Sequence, residues 1–209
     1  MSDRAFDTIL FDTILFDLGA VLVDWNPRYL YRDHFEDEQA MEHFLAEIAP
    51  SWWNLEIDGG KSFDQAVAER SAAHPTHAEL IALWRDGWHQ MLRDEITGSV
   101  QILAELRAKG YRLHALTNWS AETFPVALQK FEFLQWFEDI VVSGEVGLVK
   151  PDPRIFALVI ERCGLNPART IFIDDNLHNI EAGRAAGLHS LHFRDPQQLR
   201  ADLVRLGVL

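Results

Sequence analysis

Four short apolar runs punctuate the 209-residue chain: TILF (13–16), YRLHALT (111–117), TIFID (170–174) and LHSLHF (188–193). IVVSG (140–144) is a shorter fifth. Runs of this length, bounded by Gly, Pro, Asn and Asp, read as buried strands. Between them apolar positions recur at helical spacing. SVQILAELRAKG (99–110) ends on Gly110, a natural position just past a helix C-terminus. PDPRIFALVIERCG (151–164) opens with Asp152 as N-cap and Pro153 at the first helical position, and stops at Gly164. NLHNIEAGRAAG (176–187) stops at Gly187. From residue 96 onward strand and helix alternate strictly, which predicts a parallel sheet with helices on both faces.

The stretch 25–95 carries a different pattern. EQAMEHFLAEI (38–48), SFDQAVAERSAAH (62–74) and THAELIALWRDGWHQML (76–92) all show helical periodicity, and Thr76 with Glu79 reads as a capping box. Trp52, Trp53, Trp84 and Trp88 fall in this block, where core packing is their expected role. The expected division is therefore an α/β core of residues 1–24 and 96–209, with a helical cap of residues 25–95 inserted after the first strand. Ligands of parallel α/β sheets sit at the carboxyl ends of the strands, so an insert leaving from that edge would cover the site.

Composition narrows the function classes. With 48% hydrophobic residues the chain has enough to bury, and nothing in it reads as disordered. Nineteen Lys and Arg against 32 Asp and Glu give a formal net charge of −13, which argues against a nucleic-acid partner. An anionic ligand would need a locally positive pocket. One cysteine, Cys163, excludes an internal disulfide and reads as a structural residue on a helix. Asp7, Asp12 and Asp17 interrupt the N-terminal apolar stretch, so it does not read as a signal peptide; no window is long enough to span a membrane. The expected compartment is the cytoplasm, and the expected assembly a monomer or homodimer.

The strand ends carry the chemistry. Asp17 follows the first run, Thr117 and Asn118 close the second, Lys150 follows the IVVSG segment, and Asp174 with Asp175 closes TIFID. Such a sheet gathers three carboxylates, a hydroxyl, an amide and a lysine at one edge. Crowded carboxylates raise one another's pKa unless a cation lies between them. Oxygen ligands of this kind suit Mg²⁺, which binds through one or two carboxylates together with a substrate phosphate. A carboxylate can also act as a nucleophile toward phosphorus.

FDLGAVLVDW, LTNWS, GLVKPDPRIF and FIDDNLHNIEAGRAAG, in that order and spacing, resemble the four motifs of the haloacid dehalogenase-like hydrolase superfamily. The resemblance covers essentially the whole chain, and the helical block sits where that superfamily carries an α-helical cap. TNW, VGLVKPDPRIF and the acidic pair look most like the branch of glucose 1-phosphate phosphatases and of the phosphatase domain of soluble epoxide hydrolases. The resemblance implies a Rossmann-like core and a Mg²⁺-dependent phosphatase acting on a small phosphorylated metabolite, with no nucleic acid or membrane involved. It implies Asp17 as nucleophile and metal ligand, and the Gly19 carbonyl as a second ligand. It implies that Thr117 and the Asn118 amide hold the phosphate, with Gly19 beside it, and that Lys150 bridges nucleophile and phosphate. Asp175 would bind the metal directly, with Asp174 beside it or acting through water, and Asn179 would orient this pair.

FDTIL occurs twice, at 6–10 and 11–15, so Asp7, Asp12 and Asp17 each follow a phenylalanine. Only Asp17 is followed by a segment able to turn, Leu18-Gly19-Ala20, where glycine is expected to supply the unusual backbone angle. A five-residue slip would shift the strand by about 17 Å and reverse its faces. Asp12 is therefore expected at the start of the strand and Asp7 in an N-terminal arm.

The superfamily's usual second aspartate, two residues after the nucleophile, is here Gly19. That removes a general acid–base group worth roughly 10²–10⁴-fold. Asp24 and Asp58 are the candidates to replace it. Two other readings stay open. One is a metal-independent 2-haloacid dehalogenase type, against which the Asp174-Asp175 pair speaks. The other is a non-catalytic member that binds a phosphorylated ligand.

Overall fold

The computed structural model describes residues 10–209; Asp7 and most of the first FDTIL copy lie outside them. Among the described residues seven strands form two sheets. They are β1 (Thr13–Phe16), β2 (Val23–Trp25), β3 (Leu92–Glu95), β4 (Arg112–Thr117), β5 (Asp139–Val142), β6 (Thr170–Asp174) and β7 (His189–His192). The main sheet is parallel throughout, in the order β5-β4-β1-β6-β7. β1 is its centre: Thr13 pairs with Arg112 and Thr170, and Phe16 with Ala115 and Ile173. The α/β class and the five expected strands are observed.

Period-two alternation divides the core between the two faces of this sheet. Leu15, Leu116 and Phe172 point to one face, against Ile155, Phe156 and Val159 of the helix Pro153–Arg162. Ile14, Phe16, Ala115, Ile171 and Ile173 point to the other. There they meet Ile102, Leu103 and Leu106 of the helix Thr97–Ala108, and Leu199 and Leu203 of the C-terminal helix Pro196–Arg205. Because β1 is covered on both faces, all four of its residues are buried and it reads as a continuous apolar run. Each such aliphatic or aromatic side chain contributes about 1.5–3 kcal/mol by leaving water.

The chain builds outward from β1 through β4 to β5, then returns to the other side of β1 for β6 and β7. The order reverses between β1 and β6. Loops leaving adjacent strands there diverge and open a crevice at the carboxyl edge.

The expected all-helical stretch 25–95 needs correction at both ends. β2 and β3 pair antiparallel, with Val23 opposite Glu95 and Trp25 opposite Leu92. The helical block is thus entered and left through a two-stranded ribbon. Short strands of three and four residues carry too little periodicity to register in the sequence. Between them lie the helices Glu38–His43, Ser51–Asp58, Phe63–Ala73 and Ala78–Asp86, with shorter turns. The 76–92 segment is broken at Gly87, where an added Cβ would come within 2.7 Å of Leu30. The capping box does not form. Thr76 Oγ1 contacts His77 Nδ1, and the helix from Ala78 has no side-chain cap. Trp53 and Trp84 are core residues, packed edge to face at 5.3 Å between centroids, whereas Trp52 is exposed. Among the described residues no helix is long and apolar enough to cross a membrane.

Candidate active site

β1 ends at Phe16, and the next residue, Asp17, is 8% exposed at the base of a cavity of about 480 Å³. One carboxylate oxygen of Asp17 accepts the Leu18 amide at 2.7 Å; the other lies 2.9 Å from Lys150 Nζ. After Asp17 the chain recoils: the Leu18 carbonyl accepts the amides of Leu22 (2.8 Å) and Val23 (2.9 Å). The residue in the left-handed region is Ala20, with φ 57°, not Gly19. The expectation that Gly19 supplies the unusual angle is therefore corrected. A Cβ built on Gly19 meets nothing within 4 Å, and Gly19 lines the cavity. The missing second carboxylate leaves open space rather than a refilled one.

Lys150 is the electrostatic centre. It is 1% exposed, and its ammonium reaches Asp17, Asp174 (2.7 Å) and the Leu116 carbonyl (2.8 Å). These partners replace its hydration and raise its pKa against the effect of burial. Asn118 fixes the lysine's backbone from both sides. Its Nδ2 donates to the Lys150 carbonyl at 3.0 Å, and its Oδ1 accepts the Lys150 amide at 2.8 Å. This pairing of the Asn118 side chain spans 32 residues and leaves no local signal in the sequence. Thr117 closes β4 and is buried, and the cavity wall from this strand end is made by Asn118 and Trp119.

Asp174 ends β6 and is fully buried. Asn179 Nδ2 donates to both of its oxygens, at 3.0 and 3.1 Å, and the Asn176 amide to one at 2.8 Å. Asn179 sits on the helix Leu177–Ala185, held close to the sheet at Gly183, where a Cβ would lie 2.6 Å from Phe172. Asp175 is exposed and lines the cavity. The structure thus brings Asp17, Gly19, Asn118, Lys150 and Asp175 to one cavity, with Asp174 behind Lys150. Asp12 lies at the opposite end of β1, 3.1 Å from Arg169.

One oxygen from each of Asp17, Asp174 and Asp175 lies within 4.8 Å of the others. Three carboxylates face one lysine. Burial, with Asp174 and Asp175 adding to it, pushes Asp17 up to about 8 against the pull of Lys150. Burial and then Asp174 raise Asp175 as well. The cluster carries more negative charge than Lys150 offsets, and its hard oxygen donors suit a small divalent cation such as Mg²⁺.

The helical block closes over this edge. Ser143 Oγ, just after β5, donates to the Asp58 carbonyl at 2.5 Å, and Glu122 accepts the Phe63 amide at 3.0 Å. Asp58 is the last residue of the helix Ser51–Asp58 and lines the cavity. Burial pushes its carboxyl up to about 7, opposed by the Ser120 backbone amide. Asp24, the other candidate acid, accepts the Tyr29 hydroxyl at 2.8 Å and does not line the cavity. Cys163 is buried on the far side of the sheet face, its thiol pushed up to about 11.

Comparison with known proteins agrees with this architecture. The chain is 29% identical over 195 residues to the pyrophosphatase PpaX of Bacillus velezensis, covering 90% of this chain and 82% of that one. A HAD-like hydrolase of Porphyromonas gingivalis superposes with a TM-score of 0.72 at 22% identity, over 94% of this chain and 98% of that one. A HAD family enzyme of Bacteroides thetaiotaomicron, solved with magnesium and inorganic phosphate, superposes with a TM-score of 0.66 at 22% identity, over 88% and 95%. The family model for haloacid dehalogenase-like hydrolases matches residues 11–187. The chain belongs to the haloacid dehalogenase-like hydrolases.

Proposed function

We propose that the protein is a Mg²⁺-dependent phosphatase that hydrolyses a small phosphomonoester through an aspartyl-phosphate on Asp17. The observation that carries this reading is Lys150, buried between Asp17 and Asp174 beside the cavity-facing Asp175. The clustered Asp174-Asp175 pair speaks against a metal-independent dehalogenase acting on carbon. Pyrophosphatase relatives and a neighbour solved with magnesium and phosphate support the same class. The division into core and cap is part of the proposal, as are the roles that follow.

Asp17, the Gly19 carbonyl and Asp175 would hold the cation, with Asp174 behind them. When bound, the cation supplies positive charge against the nucleophile and the phosphoryl oxygens. The chain's own residues do the rest. A carboxylate oxygen of Asp17 attacks phosphorus as the bond to the leaving oxygen breaks. Lys150 orients Asp17 and offsets the charge on the transferring group. The Asn118 backbone amide holds that group, with the buried Thr117 behind it at the end of β4, and the Asn118 side chain keeps Lys150 in register. Asn179 fixes Asp174, which in turn anchors the Lys150 ammonium beside Asp17. Asp58, holding a proton near neutral pH, gives it to the leaving oxygen. In the second half, Asp58 takes a proton from water, the water oxygen bonds to phosphorus, and the bond to Asp17 breaks. Inorganic phosphate and free Asp17 result.

The reading is tested with p-nitrophenyl phosphate and a panel of sugar phosphates, with Mg²⁺ and with EDTA. Phosphate release that needs Mg²⁺ is the expected result. No release from any ester, followed by chloride release from 2-chloropropionate without metal, would transfer the chain to the dehalogenase class.

A further inference from the structure

The cavity over Asp17 does not end at the phosphoryl position. A second cavity of about 320 Å³ lies within the helical block, and Trp25, Pro27, Arg28, Ser51 and Asn54 border both. The two cavities adjoin along these shared walls. The outer chamber has apolar walls from Leu45, Ala46, Ala49, Pro50 and the ring of Trp84. Asn54 stands at the junction with both ends engaged. Its Nδ2 donates to Asp58 at 2.8 Å and its Oδ1 accepts Trp84 Nε1 at 3.1 Å. It is a fixed wall, not a free hydrogen-bonding group.

Charge along this path points the same way. Beyond Lys150, Arg28 is the cation among the lining residues, and Glu42 holds its guanidinium through both carboxylate oxygens, one at 2.6 Å. Outside the Asp17 cluster, the other titratable groups of the linings, Asp58 and the Arg28-paired Glu42, add no positive charge. A second anionic group on the substrate would meet no unpaired cation there. An apolar body would leave water for apolar walls.

We infer that the substrate is a phosphomonoester whose leaving group is an extended, uncharged, largely apolar organic body, seated in the chamber of Leu45, Ala46, Ala49 and Trp84. This rests on the phosphatase reading and names its substrate class. Size selection follows, because the inner chamber accepts any phosphate ester while only a long one reaches the outer walls.

The test compares ethyl phosphate, n-octyl phosphate and inorganic pyrophosphate on the wild-type protein with Mg²⁺. Each buried methylene is worth about fourfold in kcat/KM. Octyl phosphate is therefore expected to exceed ethyl phosphate at least tenfold, which needs only about two of its six additional methylenes to be buried. It should exceed pyrophosphate by a similar factor. Ala46 is exposed at the chamber rim, so Ala46→Phe should lower the octyl-to-ethyl ratio roughly tenfold. An octyl-to-ethyl ratio near one, or a preference for pyrophosphate, would overturn the inference with the phosphatase reading intact. So would an unchanged ratio in folded Ala46→Phe. No release from any of the three would overturn both. The wild-type series decides the matter even if Ala46→Phe does not fold.

Discussion

Lys150 Nζ lies 2.9 Å from an Asp17 carboxylate oxygen although both side chains are almost wholly withdrawn from water. A buried ion pair is sustained only where further groups satisfy its remaining charge and protons. Here Asp174 and the Leu116 carbonyl do so. Lys150→Met would leave two buried carboxylates uncompensated. It should cost about 3–5 kcal/mol of stability, read as a lower denaturation midpoint, and reduce kcat by at least roughly 10²-fold. A variant of unchanged stability would show that the pair is not held as described.

Metal binding should be visible apart from turnover. Three carboxylates within 4.8 Å of one another repel until a cation joins them. Mg²⁺ should raise the thermal midpoint, and by linkage saturation at about 100 times Kd corresponds to about 2.7 kcal/mol. Asp175→Asn should weaken this shift. A midpoint indifferent to Mg²⁺ in the wild type would count against a cation site.

Asp58 sets a pH dependence. As a general acid it must hold its proton, so kcat should fall as pH rises through about 7. Asp58→Asn should lower kcat and flatten that limb. The stability sign follows from the same shift, because the folded pKa is raised above the ordinary 3.8. The protonated carboxyl's contribution is complete below about 3.8 and is lost as pH rises through about 7. Asp58→Asn should therefore lose less stability than wild type between those limits, read from urea midpoints at a series of pH values. Parallel curves would remove Asp58 from this role.

Gly19 offers a gain-of-function test. A Cβ there meets nothing within 4 Å, so Gly19→Asp should fold without displacing neighbours. It should place a carboxyl in the cavity and restore activity to Asp58→Asn, most for esters with poor leaving groups, by roughly tenfold or more. No recovery in a folded double variant would mean that the proton enters elsewhere.

Much of this was legible because the core strands are short apolar runs with chemistry written directly after them. TILF, with Asp17 behind it, and TIFID, ending in Asp174, occupy the strands expected of them. Asp152 and Pro153 open their helix as their side chains dictate. What was not legible depends on distant partners. β2 and β3 are three and four residues long and form only because the chain returns after the helical block. The Asn118 clamp on Lys150 and the Ser143 bond to Asp58 join residues far apart in sequence. Thr76 and Glu79 had the letters of a capping box, but Pro75 starts a tight 3₁₀ turn in which His77, not Thr76, precedes the helix. The left-handed residue is Ala20 rather than Gly19, in a turn where the Ala20 amide donates to the Val23 carbonyl at 2.9 Å and the Leu18 carbonyl accepts the Leu22 and Val23 amides, an arrangement no single-residue preference signals.

The duplicated FDTIL gives the central claim its most direct measurement. Phosphate release from p-nitrophenyl phosphate with Mg²⁺ should be compared for wild type, Asp17→Asn and Asp12→Asn. Asp12, at the far end of β1 beside Arg169, is expected to be replaceable with kcat within about twofold of wild type, since surface substitutions change little. Asp17→Asn is expected to abolish release. Activity that survives Asp17→Asn, or that disappears in Asp12→Asn instead, would contradict the account.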